Sequence, residues 1–489
     1  MIFSRTRRRR RYVWIALLLA WFGVGAWGTL RPLPPGTNVH SETVAVDPAQ
    51  LEFLADLTYV AADGVRRSEQ EIFDAVFALI DAAEHFIVAD FFLLNESMGA
   101  AKDALRPLSS ELVERLLARK AAKPDLRVLL ITDPVNEIYG GARLELFDRL
   151  RDGGIEVVTT DLTRLRDSNP AYSALWRMFI QWWGNSARGG VLANPFGAPP
   201  PSVSLRSWLA LLNFKANHRK VIVADRADGQ VQAIVTSANP HDASSAHSNV
   251  ALRFEGPLAV QVARNELAVA QFSGWQGTWS VPAEAATNNS PAAGVQLTVL
   301  TEAAIREHLL QAIAGTGAGD RIQIAMFYLA DRSIVRSLLR AADRGVQVQL
   351  VLDPNKDAFG RQKDGVPNRP VAHELVTRSQ QRIEVRWYAT TGEQFHTKLT
   401  LITHGGRLIA SLGSANLTRR NLGNYNLEAN AAIELPVGAP LAQEMLQYFE
   451  RLWSNDGGQY TLPFDAYDDP SRLRYWRYRL MEATGLSTF

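Results

Sequence analysis

Residues 217–225 read NHRKVIVAD, and 178 residues after His218 the stretch 395–403, FHTKLTLIT, places His396 in the same setting. In each a His and a Lys stand two apart, and side chains two apart on a strand point to one face. Each segment therefore presents one imidazole and one ammonium together: His218 with Lys220, His396 with Lys398. The first runs on to Asp225 as H-x-K-x4-D, whereas the second has Thr403 at that position. TSAN follows the first with Ser237 and Asn239, and GSAN follows the second with Ser414 and Asn416. The Asn comes 21 and 20 residues after its His, the spacing of a neighbouring strand and turn that return to the same cavity. A lone His on a strand is usually structural; two copies, each with a Ser-x-Asn behind it, point to chemistry.

Working outward, the copies belong to a longer repeat. FIVADFFL (86–93) is matched by IQIAMFYL (322–329), each an apolar run of strand length after a helical stretch. LVERLLARKAAKPDLRVLLITDP (112–134) is matched by IVRSLLRAADRGVQVQLVLDP (334–354), a helix and then a strand ending in Asp133-Pro134 or Asp353-Pro354. RDGGIEVV (151–158) and QQRIEVRW (380–387) add a further strand each. Strands alternating with helices predict an α/β fold of two similar lobes, each a mostly parallel sheet flanked by helices. The boundaries read as 49–280 for the first lobe, 281–294 for a linker, 295–465 for the second lobe and 466–489 for a tail rich in Trp, Tyr and Arg.

The repeat exposes an insertion. Ile155 lies 63 residues before His218, but Ile383 lies only 13 before His396, so the first lobe carries about 50 extra residues near 163–212. They hold four of the twelve Trp and the Gly/Pro-rich stretch GNSARGGVLANPFGAPPP (184–201). An insertion this long in a compact repeat is usually functional or disordered. Tyr172, Leu175, Trp176, Phe179, Ile180 and Trp183 form one apolar helical face, and Leu205, Trp208, Leu209 and Leu212 repeat the spacing. The expectation is a membrane-facing hairpin; the alternative is that both faces pack on the lobe.

With these motifs the chain resembles the phospholipase D superfamily, in which two H-x-K-x4-D motifs meet between two similar lobes. The likeness covers roughly residues 50–465. It implies that one His attacks phosphorus to form a phosphohistidine while the other protonates the leaving alcohol and then activates water or another alcohol. By that precedent His218 is the nucleophile and His396 the acid and base. Lys220 and Lys398, with the Ser and Asn donors, neutralise the non-bridging oxygens, so neither metal nor other cofactor is implied. Thr403 departs from the pattern. NYNLEAN (424–430) supplies Glu428, where similar proteins place a carboxylate that orients the catalytic imidazole, here expected to be His396; the matching stretch HSNVALRFEG (247–256) offers Asn249. Each lobe thus keeps one of two supporting acids, Asp225 or Glu428.

Composition narrows the substrate. The 489 residues are 47% hydrophobic and 21% charged, as in a folded globular protein, and the lack of cysteine excludes thiolate nucleophiles and Cys-ligated metals. The net charge is +2, but the first eleven residues supply six Arg, leaving −4 for the rest. A protein that grips nucleic-acid backbones usually has a basic body. Residues 12–30, YVWIALLLAWFGVGAWGTL, carry no charge and are long enough to cross a bilayer, with Trp14 and Trp27 placed for the interfaces. The reading is a cytoplasmic basic segment (1–11), a transmembrane anchor (12–30), a Pro-rich linker (31–48) and an exported body at the cell membrane. Cleavage as a signal peptide near Val24 and Ala26 is the alternative. The partner expected is a phospholipid membrane, not nucleic acid, and no residue signature marks a protein partner. The reaction expected is phospholipid hydrolysis or headgroup transfer, as in phospholipase D or cardiolipin synthase, with an endonuclease or a catalytically dead membrane-tethered binding protein as alternatives.

Overall fold

The computed structural model describes residues 2–97, 105–196, 201–279, 281, 294–358 and 361–489. The expected linker at 281–294 thus lies outside them except at its two ends, as do residues 197–200 of the insertion. Two large sheets dominate. The first contains β1 (Leu51–Ala61), β2 (Phe86–Phe91), β3 (Arg127–Thr132), β4 (Glu156–Thr159), β5 (Lys220–Asp225), β6 (Val231–Thr236) and β7 (Asn249–Glu255). The second contains β8 (Gln296–Thr301), β9 (Arg321–Met326), β10 (Gln347–Leu352), β11 (Ile383–Tyr388), β12 (Lys398–His404), β13 (Arg407–Gly413) and β14 (Ala429–Pro436). Across the sheets the orders are β1-β7-β6-β5-β2-β3-β4 and β8-β14-β13-β12-β9-β10-β11, so strand matches strand.

The expectation of mostly parallel sheets needs correction. β2, β3 and β4 are parallel, as are β9, β10 and β11, because helices α3 (Leu108–Ala122) and α4 (Glu145–Asp152), or α9 (Arg332–Asp343) and α10 (Asn368–Arg378), carry the chain back between them. The remaining pairs are antiparallel, and short turns join β5 to β6 and β12 to β13. Gly405 and Gly406, both at positive φ (57° and 77°), make the two-residue turn between β12 and β13.

The sheets share one core. Val221, Val223, Val235 and Leu252 of the first sheet belong to the same buried cluster as Leu399, Leu401, Leu412 and Ile433 of the second, completed by α7 (Pro257–Phe272) and α11 (Pro440–Ser454). The outer faces have their own cores: Ile222 and Ala224 pack with α2 (Ile72–Ala82) and α3, and Ile322, Ile324 and Leu350 with α8 (Ala303–Gly315), α9 and α10. Burial on both faces explains why β2, apart from Asp90, and β5, between Lys220 and Asp225, read as apolar runs.

The flanking segments tie the halves together. Residues 44–45, in the expected linker 31–48, pair with β8, and residues 458–459 pair with β1 while 461–463 pair with β11. In the tail, α12 (Arg472–Thr484) buries Tyr478, whose hydroxyl accepts from Arg332 (2.5 Å). The N-terminal helix α1 (Ile2–Leu30) contains, at Arg9–Leu30, a stretch long and apolar enough to cross a membrane. The insertion holds α5 (Pro170–Leu175), a π-helical turn (Trp176–Ile180) and α6 (Leu205–Leu211). The π turn adds a residue to the helical repeat and breaks the single apolar face expected from Tyr172 to Trp183. The buried positions are Ser173, Ala174 and Trp176, while Leu175, Phe179 and Trp183 are exposed.

Candidate active site

The site grows from strand order. β6 runs antiparallel to β5 with Val235 opposite Val221, so the residues after β6 return beside those that open β5. Ser237 and Asn239 are thereby brought to His218 and Lys220. In the second sheet Leu412 lies opposite Leu399, which brings Ser414 and Asn416 to His396 and Lys398. The halves are stitched where the two sets meet. Asn217 bridges Leu427, with His218 N donating to Leu427 O (2.9 Å), and Ser248 bridges Phe395, with Ser248 N donating to Gln394 O (3.2 Å).

That stitching exchanges the orienting groups between lobes. Glu428 follows Leu427, and its carboxylate accepts from Nδ1 of His218 (3.0 Å), not from His396 of its own half. Asn249 follows Ser248, and its Oδ1 accepts from Nδ1 of His396 (3.1 Å). The expectation that Glu428 serves His396 is thus corrected: the β-bridges between the halves carry each orienting residue across to the other half's imidazole. Ser237 and Ser414 hold these orienting groups. Ser237 Oγ donates to Asn249 Oδ1 (2.9 Å), and Ser414 Oγ and Asn421 Nδ2 donate to Glu428. Asn239 Oδ1 accepts from Leu93 N (3.1 Å), whereas the buried Oδ1 of Asn416 has no hydrogen-bond partner among the described residues.

Asp225 is corrected as well. It ends β5, about 17 Å along the strand from Lys220 at roughly 3.4 Å per residue, and accepts from His85 N (2.8 Å), Phe86 N (2.9 Å) and His85 Nδ1 (2.6 Å). It fastens the start of β2 and orients no catalytic imidazole. Thr403 occupies the corresponding far end of β12, opposite Arg321, so the missing acid of the second motif leaves the site untouched. Asp225→Ala is expected to cost about 2 kcal/mol, because the buried Phe86 N–H and the part-buried His85 N–H lose their acceptor. It should change kcat by less than about threefold, since an orienting role alone would move the rate further. Urea unfolding and diester kinetics on the same preparation check both figures, and Thr403→Ala is expected to change neither.

Sequence reasoning missed two pairs. Phe92 lies against His218 (centroids 4.9 Å apart) and beneath the Lys220 ammonium (5.1 Å); Phe327 does the same for His396 (5.0 Å) and Lys398 (5.4 Å). Asp133 accepts from Asn217 N (2.7 Å) and Asp353 from Phe395 N (2.8 Å), so each fixes the backbone just before its His. The Asp pair was visible as the matched Asp133-Pro134 and Asp353-Pro354, whereas matching 86–93 with 322–329 sets Phe92 against Tyr328 and so hides the Phe pair.

His218, Lys220, His396 and Lys398 are all buried, and burial dominates their titration. The His218 imidazolium is disfavoured by burial and by Lys220, against the opposing pull of Glu428, and its pKa falls to about 4. His396 is held well below its ordinary value by burial and by Lys398 and His247. Burial lowers Lys220 to about 7, and burial together with Lys220 brings Lys398 well below the usual lysine range. Glu428 stays below the usual carboxylate value: burial alone would raise it, but His218, Lys220 and Ser414 outweigh that. Lys220 and Lys398 donate to the carbonyls of His218 and His396 (2.7 Å each), which holds each ammonium beside its imidazole.

Two lobes of matching strand order that meet at paired His-x-Lys segments make a phospholipase D-like fold. Residues 309–453 match the family described as "Cardiolipin synthase, PLD-like domain". The fold is that of phosphatidylserine synthase from Haemophilus influenzae (TM-score 0.53, 12% identity, 95% of this chain and 99% of that one). Polyphosphate kinase from Porphyromonas gingivalis (TM-score 0.45, 13% identity, 90% and 56%) and the Salmonella typhimurium phospholipase D family member Nuc (0.26, 20%, 34% and 99%) overlap more loosely and decide nothing. No curated protein matches the chain in sequence.

Proposed function

We propose that the protein is a membrane-anchored phosphodiesterase or phosphatidyltransferase that acts on phospholipids through a phosphohistidine on His218. The observation that carries this reading is the unequal support of the two imidazoles. Glu428, a carboxylate, takes the Nδ1–H of His218, which leaves Nε2 with its lone pair and makes it the stronger nucleophile. Asn249, a neutral amide, takes the Nδ1–H of His396, so a proton on Nε2 of His396 is less stabilised and is given up more readily. In the first step Nε2 of His218 bonds to phosphorus, the bond to the leaving oxygen breaks, and that oxygen takes the proton from His396. In the second, His396 accepts a proton from water or an alcohol, the new oxygen bonds to phosphorus, and the P–N bond breaks. Lys220 and Lys398, charged once a diester anion lies beside them, neutralise the equatorial oxygens.

The lipid substrate is supported by helix α1, by the kind of family the second half matches and by the acidic body. The six Arg before the apolar stretch support a cytoplasmic N-terminus with the catalytic body across the membrane. Purified full-length protein in metal-free buffer with chelator is expected to release or exchange headgroups of phosphatidylglycerol vesicles, with and without added glycerol, and to leave DNA intact. DNA cleavage without lipid turnover would overturn the lipid assignment, and loss of activity on chelation would overturn the mechanism.

The titrating groups set a pH profile. His218 must be neutral to attack, so kcat/KM falls as pH drops through about 4. Lys220 must be charged to neutralise phosphate, so kcat/KM falls again as pH rises through about 7. Stopped-time assays on bis-p-nitrophenyl phosphate between these limits are expected to trace that bell.

A further inference from the structure

The insertion packs on the N-terminal helix. Trp21 Nε1 donates to Ala171 O (2.8 Å), and Asp167 N donates to Gly28 O (2.9 Å). A side chain at Gly28 would strike the Asp167 carboxylate at 2.0 Å, and one at Gly25 would crowd Pro170 O at 3.2 Å, so these glycines are what lets α1 approach the insertion. Trp21, Gly25 and Gly28 lie within residues 21–30, which rise about 15 Å, half of a hydrocarbon core of about 30 Å. Whatever touches that half of the helix lies at the level of one leaflet.

The insertion is built for that level. Apart from Trp176, the side chains its helices bury are small, Ser173 and Ala174 in α5 and Ser207 and Ala210 in α6, while Leu175, Phe179 (52% exposed), Trp182 (75%), Trp183 and Leu205 turn outward. A helix serving an aqueous protein's core does the reverse. The exposed Trp182 keeps no free donor, because its indole N–H is bonded to Arg177 O (3.0 Å). The charges beneath are spent internally: the fully buried Asp167 accepts from Arg177 Nε (2.7 Å) and Nη2 (2.9 Å) and pairs with Lys215, three residues before His218.

We infer that the α5 segment, residues 170–183, and the C-terminal half of α1 form one wedge immersed in the acyl-chain region of a single leaflet, joined through Asp167 to the strand that carries His218. The inference rests on α1 spanning the membrane. Its occupant is the lipid of that leaflet, and its consequence is that the catalytic strand is held at a fixed depth beside its substrate.

The chain has no cysteine, so single cysteines report without background. Leu19→Cys, Phe179→Cys, Trp182→Cys and Asp228→Cys, each in the full chain, carry an environment-sensitive nitrobenzoxadiazole label in phosphatidylcholine/phosphatidylglycerol vesicles containing doxyl-labelled lipid. Labels at 179 and 182 are expected to be quenched at least half as strongly as at 19, and the label at 228 not at all. Water-like emission at 179 and 182 with quenching at 19 overturns the wedge and leaves the anchor standing. Water-like emission at all four positions removes the membrane-spanning reading too. Cross-linking between Trp182→Cys copies without quenching identifies a second copy as the occupant and equally overturns the proposal. In the function assay, Phe179→Asp with Trp182→Asp is expected to lower turnover of vesicle lipid about tenfold, as charge on a lipid-facing surface disfavours immersion. Turnover of bis-p-nitrophenyl phosphate should be unchanged; equal loss on both substrates counts against the wedge.

Discussion

His218→Ala is expected to lower turnover by roughly 10⁵-fold and His396→Ala by a similar factor on lipid substrates, because groups that act as a unit in covalent catalysis fail together. The two variants part company when the leaving group needs no proton. With bis-p-nitrophenyl phosphate, His396→Ala retains the Nε2 lone pair of His218 and its Glu428 partner, so it should release about one equivalent of nitrophenolate in a burst and then stall at the water step. His218→Ala should show no burst. Both side chains are small contributors to the core compared with the sheet-to-sheet cluster, so both variants should keep the wild-type circular dichroism spectrum. A burst from His218→Ala and none from His396→Ala would exchange their roles.

The second large effect belongs to Glu428. Replacing it with Gln keeps the shape but sets an amide where a carboxylate now meets Nδ1–H of His218, Ser414 Oγ and Asn421 Nδ2. Loss of the orienting charge in a buried nucleophile–acid pair is expected to cost about 10²–10⁴-fold in kcat. The positioning role has its own signature: the acid limb of the pH profile moves down, because Glu428 is the group that favours the protonated His218. Asn249→Asp should act in the opposite sense on His396, raising its pKa and slowing proton donation. An Asn249→Asp variant with a lowered rather than raised His396 pKa, read by NMR, would show that the cross-lobe pairing is wrong.

Much of this was legible because the chain says it twice. The repeat that matched His218 with His396 also matched Asp133 with Asp353, and that pair holds an equivalent place in the site. What the sequence hid was the third dimension of the repeat. Nothing in the spacing of Asn416 and Glu428 tells that the bridge at Leu427 belongs to Asn217 of the other half, so the carboxylate looked like support for its own lobe's imidazole. Asp225 looked catalytic because the motif includes it, yet a strand of six residues carries it to the strand's far end. The antiparallel half of each sheet was signalled by Gly405-Gly406 and by Asp228-Gly229, turn pairs that helix and strand periodicity alone passed over. In the insertion, the 3.6-residue pattern failed at the π turn, which no composition rule marks.

The central claim is a covalent phosphorus–nitrogen bond at His218. Full-length enzyme mixed with phosphatidylglycerol vesicles, quenched in alkali to preserve phosphoramidates and digested for tandem mass spectrometry, tests it directly. The account predicts a phosphatidyl or phosphoryl adduct on the peptide containing His218, absent from His218→Ala and enriched in His396→Ala when the substrate is bis-p-nitrophenyl phosphate. An adduct on His396 alone, or steady turnover with no adduct on either histidine, would contradict it.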